Sequence, residues 1–323
     1  MKKKIYIRAD ASASIGTGHV VRCIALADML KHDFYIQFVA KSAPENIINQ
    51  INMAGFSFMK IDHEHDFLVH LNASDLVVLD HYSLGSDYQK NIKSIGCKLV
   101  CIDDLHDKEF FADLIINHAP GVTLHDYKAH PNTKYALGLS FALLRSAFLE
   151  NAKSKQKLHN TKETLFICFG GSDFKNLTEQ VLRIAKSFFE FKKIIVVTGS
   201  AYSNLDTLQS NVFSDSRIVH YHAIDENQMI QLLKTADLAI VPASGMLFEV
   251  LTFTMPVITG SYVDNQAIFL SELTKYKQVI NCNDFSDQAV TIAIQYVLQN
   301  KIAYDEVFDG NSAARINDLF KKL

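Results

Sequence analysis

Residues 4–22 read Lys4-Ile5-Tyr6-Ile7-Arg8-Ala9-Asp10-Ala11-Ser12-Ala13-Ser14-Ile15-Gly16-Thr17-Gly18-His19-Val20-Val21-Arg22. An apolar run at residues 4–8 suits a β-strand, a loop with two glycines follows, and helical spacing of apolar residues begins at Gly18 and continues to Leu30. Strand, glycine loop and helix in that order open a parallel α/β sheet, whose ligands lie outside the carboxyl ends of its strands. Gly16 and Gly18 let backbone come close to a ligand, and the first helical amides can face an anion. Val21 stands where the third glycine of G-x-G-x-x-G would be, so the loop is a weak match to a dinucleotide site. His19 falls at the helix start, where the dipole and nearby N–H groups favour a neutral imidazole that can accept a proton. A polar first-turn residue with no chemistry would read the same way.

The pattern repeats along the chain. Strands are expected at 34–40, 56–60, 76–80, 98–103, 114–117 and 135–138, and helices at 18–30, 44–53, 86–95 and within 141–152. Several strands, such as Leu76-Val77-Val78-Leu79, are continuous apolar runs, as in a parallel sheet covered on both faces. Residues 151–162 are polar, basic and without apolar periodicity, which reads as a linker. The alternation then restarts, with strands at 165–169, 193–198, 217–220, 238–241, 257–258 and 278–280. Helices fall at 177–189, 227–234, 246–252, 267–276, 286–299 and 313–322. The fold class expected is α/β, with two Rossmann-like, doubly wound domains facing a cleft. The first spans residues 1–150, the linker 151–162 and the second 163–323, with the last helix a candidate to return to the first.

Composition narrows the class of partner. In 323 residues, 48% are hydrophobic and 11% aromatic, which is globular rather than disordered. With 32 Lys+Arg against 35 Asp+Glu, the formal charge of −3 provides no general attraction to nucleic acid or anionic membrane. A bound phosphate must therefore be held by local geometry. Met1-Lys2-Lys3-Lys4 imitates the start of a signal peptide, but the apolar run after it is broken by Arg8 and Asp10, and no stretch reaches the roughly 18 apolar residues of a membrane span. The five cysteines, Cys23, Cys97, Cys101, Cys168 and Cys282, lie mostly in apolar runs and read as free thiols in a reducing, cytoplasmic compartment. No Cys or His cluster completes a zinc site, so no metal and no cofactor are expected.

Polar groups follow most of the apolar strands. Asp80-His81-Tyr82, Asp103-Asp104 and Asn117-His118 end three first-half strands, on the same rim as His19. An Asp near His19 would orient it, and Asp10, Asp80 and Asp104 are all candidates. In the second half, Gly170-Gly171-Ser172-Asp173 follows a strand and permits the tight turn of a phosphate cradle, without the Lys-Ser/Thr ending of a Walker loop. A plain strand-to-helix turn is the alternative. Ser244-Gly245 again opens a helix, with Glu249 one turn in; a carboxylate there suits a ribose diol, or merely complements the helix dipole. Asn265 and Gln266, with Tyr262 and Asp264, precede another helix and are placed to close over the same ligand.

Collected in this order, the motifs resemble the bacterial UDP-2,4-diacetamido-2,4,6-trideoxy-β-L-altropyranose hydrolases of pseudaminic acid synthesis. These share the two-domain GT-B architecture of MurG-type glycosyltransferases. The resemblance rests on the 8–23 stretch, Leu79-Asp80-His81-Tyr82-Ser83, Cys101-Ile102-Asp103-Asp104, Ile115-Ile116-Asn117 and the 138–145 stretch ending in Arg145. In the second half it rests on Cys168 to Asp173, Ala243 to Val250 and Asn265-Gln266. It implies hydrolysis of the UDP-sugar to free sugar and UDP by C–O cleavage with inversion, with His19 as the catalytic histidine and Tyr82 beside it. Asp10 joins them as a catalytic candidate. Substrate contacts are expected from Gly16, Gly18, Arg22, Asp80, Asp104, Asn117 and Arg145. The diphosphate is expected at Gly170, Gly171, Ser172, Ser244 and Gly245, the ribose at Glu249, a further substrate contact from Asp173, and a closing contact from Asn265 and Gln266. Gly245 departs from the two hydroxyl residues of many relatives but leaves the helix amides in place. A GT-B glycosyltransferase using a UDP-amino sugar, and a hydrolysing UDP-sugar 2-epimerase, would share the nucleotide site. The implied setting is cytoplasmic, with a small-molecule substrate, no nucleic acid, a monomer, and a product bound for flagellin or capsule glycosylation.

Overall fold

The computed structural model describes residues 2–11, 18–154, 161–262 and 270–323. The chain divides into two compact units, residues 1–146 with 311–323, and residues 147–310.

In the first unit, strands β1 (Lys4–Ala9), β2 (Tyr35–Ala40), β3 (Ser57–Lys60), β4 (Leu76–Asp80), β5 (Lys98–Ile102), β7 (Leu114–Asn117) and β9 (Lys134–Leu137) form one sheet in the order β3-β2-β1-β4-β5-β7-β9. Every pairing in it is parallel. The short strands β6 (Glu109–Phe110) and β8 (Lys128–Ala129) pair separately. Helices α1 (Gly18–Leu30), α2 (Glu45–Met53), α3 (Glu64–Leu68) and α4 (Ser86–Ser94) fall between the strands. β4 and β7 are buried at every position, as a sheet covered on both faces requires.

The second unit opens on α5 (Ser146–Lys153) and continues through β10 (Thr164–Cys168), α6 (Leu177–Ala185), β11 (Lys193–Thr198), α7 (Leu205–Phe213), β12 (Ile218–His222), α8 (Glu226–Leu233), β13 (Leu238–Ile240), α9 (Gly245–Val250), β14 (Val257–Thr259), β15 (Val279–Asn281) and α10 (Asp287–Gln299). Its sheet runs β12-β11-β10-β13-β14-β15, again all parallel. The chain is thus α/β with two doubly wound parallel sheets.

One difference from the sequence reading, at residues 151–153, and the placement of the final helix that the sequence left open both have physical causes. Residues 151–153, polar enough to read as the start of a linker, are the last turn of α5. There Asn151 is buried, and its Nδ2 donates to the Thr252 carbonyl at 2.9 Å, so a polar side chain serves the interior. The final helix α11 (Ser312–Lys321) groups with the first unit rather than with the residues that precede it. Its Ile316 and Phe320 are buried against α1, Phe320 meets Phe34 edge-on at 6.2 Å, and Asn317 Nδ2 donates to Asp33 Oδ2 at 2.7 Å. Helices α3 and α7 lie in stretches whose periodicity is too short or too weak to mark them.

Candidate active site

Strand order turns at one place in each sheet, between β1 and β4 in the first and between β10 and β13 in the second. Loops after these strands diverge and leave the crevice in which open α/β sheets bind ligands.

At the first turn, register and pleat sort the polar rim into two networks. Ala9 pairs with Asp80, Leu79 with Cys101, and Ile102 with Ile116, so continuing each strand sets Tyr82, Asp104 and His118 in one layer. Two-residue alternation keeps these three on the sheet face of Asp80, whereas Arg8, Asp10, His81, Asp103 and Asn117 fall on the other. The hydrogen bonds follow that division.

On the face of α1, His19 is buried and its Nδ1 lies 2.6 Å from Asp80 Oδ1. Arg22, one turn further along α1, donates from Nε to Asp80 Oδ2 at 2.6 Å and from Nη2 to Oδ1 at 2.7 Å. Its Nη1 donates to both Asp104 oxygens, at 2.6 and 2.8 Å. Tyr82 donates its hydroxyl to Asp104 Oδ2 at 2.9 Å and sets its ring edge-on to His19, with centroids 4.5 Å apart. The Cys23 thiol donates to Asp80 Oδ2 at 3.4 Å.

Burial pushes the Asp80 carboxyl up, but the Arg22 guanidinium and the His19 hydrogen bond outweigh it and hold Asp80 well below the usual carboxylate range. Asp80 is therefore an acceptor, and His19 Nδ1 must be the donor nitrogen. In a neutral imidazole that places the proton on Nδ1 and the lone pair on Nε2. Arg22 Nη2 lies 3.2 Å from Nδ1 because both donors converge on one oxygen. Asp104 is likewise lowered by Arg22 against its burial. Asp80 and Asp104 flank the Arg22 guanidinium beside His19, and Lys108 Nζ donates to the Tyr82 carbonyl at 2.8 Å.

The opposite face holds Arg8, wholly buried, which donates to Asp10 at 2.7 and 2.9 Å and to Glu64 at 2.6 and 3.1 Å. Asp10 also accepts the Lys41 backbone N–H at 2.8 Å, and His81 Nε2 lies 3.1 Å from its Oδ2. Burial raises the Asp10 carboxyl, and the His81 and Arg8 hydrogen bonds more than reverse this. Asp103 accepts the His106 N–H at 2.7 Å and the Tyr127 hydroxyl at 3.1 Å, while Asn117 Nδ2 donates to that hydroxyl at 2.9 Å. The structure therefore separates the rim candidates. Asp80, not Asp10 or Asp104, orients His19, and Asp10 and Asn117 serve internal networks on the other face. Glu64 and His118 were not singled out from sequence as site residues. Glu64 sits on the short α3, while His118 shares the Asp80 layer and accepts the Leu143 N–H at Nδ1, 3.1 Å away. Gly18 opens α1 with no atom within 4 Å of the position a Cβ would take. Arg145 is half-buried just ahead of α5.

At the second turn the groups are mostly backbone. Gly170 has φ +81°, a conformation that side chains rarely adopt. A Cβ on Gly199, after β11, would come within 2.5 Å of Gly171 Cα, so the two loops touch through bare backbone. Ser172 follows in the same turn. Asp173 is buried, and its oxygens accept the N–H groups of Leu177 and Thr178 at 2.9 and 2.8 Å. It caps the start of α6. Ser244 is the N-cap of α9, accepting the Met246 N–H at 3.4 Å; Gly245 beside it is exposed, and Glu249 is buried one turn on. Thr198 Oγ1 lies 2.8 Å from His220 Nε2 and 3.0 Å from His222 Nδ1 at the ends of β11 and β12. Among the described residues no cluster of three or more His, Cys, Asp or Glu is arranged to hold a metal ion. No described helix is long and apolar enough to cross a membrane. Gly16, Asn265 and Gln266 lie outside the described residues.

No family model matches the chain. Among curated proteins it is 31% identical over 268 residues to the uncharacterized protein MJ1062 of Methanocaldococcus jannaschii, covering 79% of this chain but only 55% of that longer protein. It is 28% identical over 276 residues to the UDP-2,4-diacetamido-2,4,6-trideoxy-β-L-altropyranose hydrolase of Campylobacter jejuni, covering 84% of this chain and 96% of that one. The spore coat polysaccharide biosynthesis protein SpsG of Bacillus subtilis is 26% identical, over 80% of this chain and 78% of that one. Acinetobacter baumannii MurG superposes with a TM-score of 0.66 at 13% identity over the whole of both chains. Staphylococcus aureus MnaA, solved with UDP, gives 0.66 at 12% identity over 100% of this chain and 96% of that one. The fold is that of the GT-B proteins, and by sequence the chain is similar to the UDP-2,4-diacetamido-2,4,6-trideoxy-β-L-altropyranose hydrolase and to SpsG.

Proposed function

We propose that the protein hydrolyses a UDP-2,4-diacetamido-2,4,6-trideoxyhexose of the altrose type to the free sugar and UDP. The observation that carries this reading is the His19–Asp80 pair. A neutral imidazole with Nδ1–H fixed on a buried carboxylate and a lone pair on Nε2 is the arrangement of a general base. In the proposed step, water attacks the anomeric carbon as His19 Nε2 takes its proton, and the C1–O bond breaks with its electron pair leaving on the UDP phosphate oxygen. Attack opposite the leaving group gives inversion. UDP is a stable anion, so its departure needs little proton donation. Arg22 and Tyr82 keep Asp80 and the His19 ring in place.

The nucleotide is assigned to the second unit, with the diphosphate at Gly170, Gly171, Ser172, Ser244 and Gly245 and the ribose at Glu249. Glycine backbone and helix-start amides suit an anion in a chain whose net charge is only −3. The reading places the enzyme in pseudaminic acid biosynthesis, as a cytoplasmic monomer that uses no cofactor.

Turnover in ¹⁸O-labelled water is the test. Label on the sugar C1 hydroxyl and none in UDP is expected; label in UDP rejects C–O cleavage. Turnover that requires an added sugar acceptor indicates a transferase, and a product altered at C2 indicates an epimerase. Changing His19→Ala is expected to reduce turnover by at least about 10²-fold with UDP affinity retained. Unchanged turnover rejects His19 as the base.

A further inference from the structure

We propose that Asp104 is a positioning residue of the reaction: through the Tyr82 hydroxyl it fixes the plane of the His19 imidazole, rather than contacting the sugar. This rests on the UDP-sugar reading above and adds to it the part that keeps the base in aim.

Five side chains close a ring. Asp80 accepts from Arg22 at 2.6 and 2.7 Å, Arg22 donates onward to Asp104 at 2.6 and 2.8 Å, and Asp104 accepts the Tyr82 hydroxyl at 2.9 Å. Tyr82 meets His19 edge-on at 4.5 Å with 79° between the ring planes, and His19 returns to Asp80 at 2.6 Å. Register brings Asp104 to Tyr82: Leu79 stands opposite Cys101, so continuing both strands sets Tyr82 opposite Asp104 on one face. Asp80, Arg22 and Tyr82 each approach the imidazole directly, whereas the hydrogen bonds of Asp104 go to Arg22 and Tyr82. One hydrogen bond at Nδ1 fixes a tautomer but not a plane, because χ2 of a histidine is a broad torsion. The Tyr82 ring supplies a second constraint. Tyr82 is 40% exposed, too open for packing alone to hold it, and its far end is tied to Asp104. Burial and the Asp104 charge push the phenol up, while Arg22 holds Asp104 below the usual carboxylate range. The bond therefore joins a protonated hydroxyl to an ionised carboxylate, the strong charge-assisted kind. Asp104 is itself fixed, since the guanidinium engages both of its oxygens. A tilted imidazole would turn the Nε2 lone pair away from the attacking water, so what Asp104 supplies is orientation.

Two readouts separate this role from a structural one and from a sugar contact. The first is the ¹³C–¹H spectrum of the His19 ring in the ligand-free protein, where the Tyr82 ring current shifts the carbon-bound protons. Tyr82→Leu removes that ring and marks the end point. Asp104→Ala is expected to move the His19 signals towards those of Tyr82→Leu, and unmoved signals overturn the assignment. The second is steady-state turnover of the UDP-diacetamidotrideoxyhexose. Asp104→Ala is expected to lower kcat about tenfold with KM unchanged, and to cost less than about twofold more when Tyr82→Leu is already present. A raised KM with unchanged kcat makes Asp104 a sugar contact and overturns the proposal, as do fully additive losses in the double variant. Should Asp104→Ala not fold, Tyr82→Phe cuts the same bond from the other end and leaves Asp104 on Arg22. The His19 signals are then expected to move in the same direction, and unmoved signals again overturn the role. If the unaltered protein turns over no UDP-sugar, the functional reading fails, while the spectra still decide whether Asp104 sets the imidazole plane.

Discussion

The two places where strand order turns are built from different materials. At the first, side chains do the work: Asp80, Arg22, Asp104, Tyr82 and His19 are linked by charged hydrogen bonds of 2.6–2.9 Å. At the second, the expected ligand groups Gly170, Gly171, Ser172, Ser244 and Gly245 carry no charge, and the nearby carboxylate of Asp173 is spent on capping a helix. Charged side chains can fix a tautomer and stabilise a new charge. Bare backbone can approach an anion closely without a high local density of cations. One topology thus carries a charged side-chain network in one unit and glycine loops of bare backbone in the other.

The largest test of this contrast is Asp80→Asn. An amide no longer enforces Nδ1–H on His19, and turnover is expected to fall roughly 10²–10⁴-fold with UDP affinity unchanged. Steady-state kinetics beside UDP calorimetry measures both, and retained turnover breaks the comparison at its first term. Next is Asp10→Ala, which leaves Arg8 buried with only Glu64 as a carboxylate partner. A loss of about 3–5 kcal/mol in stability by denaturant unfolding is expected, marking this face as structural.

Acid titration comes third. The His118 imidazole moves from an ordinary 6.5 to about 4 on folding, so between those values the unfolded chain binds a proton that the native one does not. Stability is expected to decline as pH falls from about 6.5 towards 4, by an amount on the order of 2 kcal/mol after allowance for partial exposure. His118→Gln should flatten that limb. The losses from Asp80, Asp104 and Asp10, whose carboxyls are lowered on folding, come in below the ordinary carboxylate range. The smallest effect is Gly170→Ala. A side chain at φ +81° costs about 1–2 kcal/mol, and weaker UDP binding with an unchanged pH profile sharpens the second term of the contrast.

Much of the architecture could be read from residues 4–22 outward. Strands with continuous apolar runs, such as β4 and β7, were visible because a two-sided burial pattern leaves no other place for them. That same burial hid the site's internal logic. Where every position of a strand is apolar or buried, the sequence does not reveal which residues share a face. Asp10, Asp80 and Asp104 were therefore equivalent until cross-strand register put Asp10 on the other face and the contact with His19 Nδ1 distinguished Asp80 from Asp104. His118 had no signal of its own beside Asn117, and the difference between them is parity. Glu64 was invisible because its helix has only five residues, too few for a period. The capping of Leu177 and Thr178 by Asp173 depends on a backbone path that composition does not specify.

The final helix has a consequence for how the molecule is made. α11 covers α1, the helix that carries His19 and Arg22, yet it is synthesised after the whole of the second unit. When the chain up to residue 310 has emerged, the second unit has all its parts, while the first still lacks Ile316 and Phe320 against its opening helix. The unit begun first is completed second. During translation it must wait with an apolar helix face uncovered, so the unit that carries His19 is the one more exposed to chaperones and to aggregation in that interval.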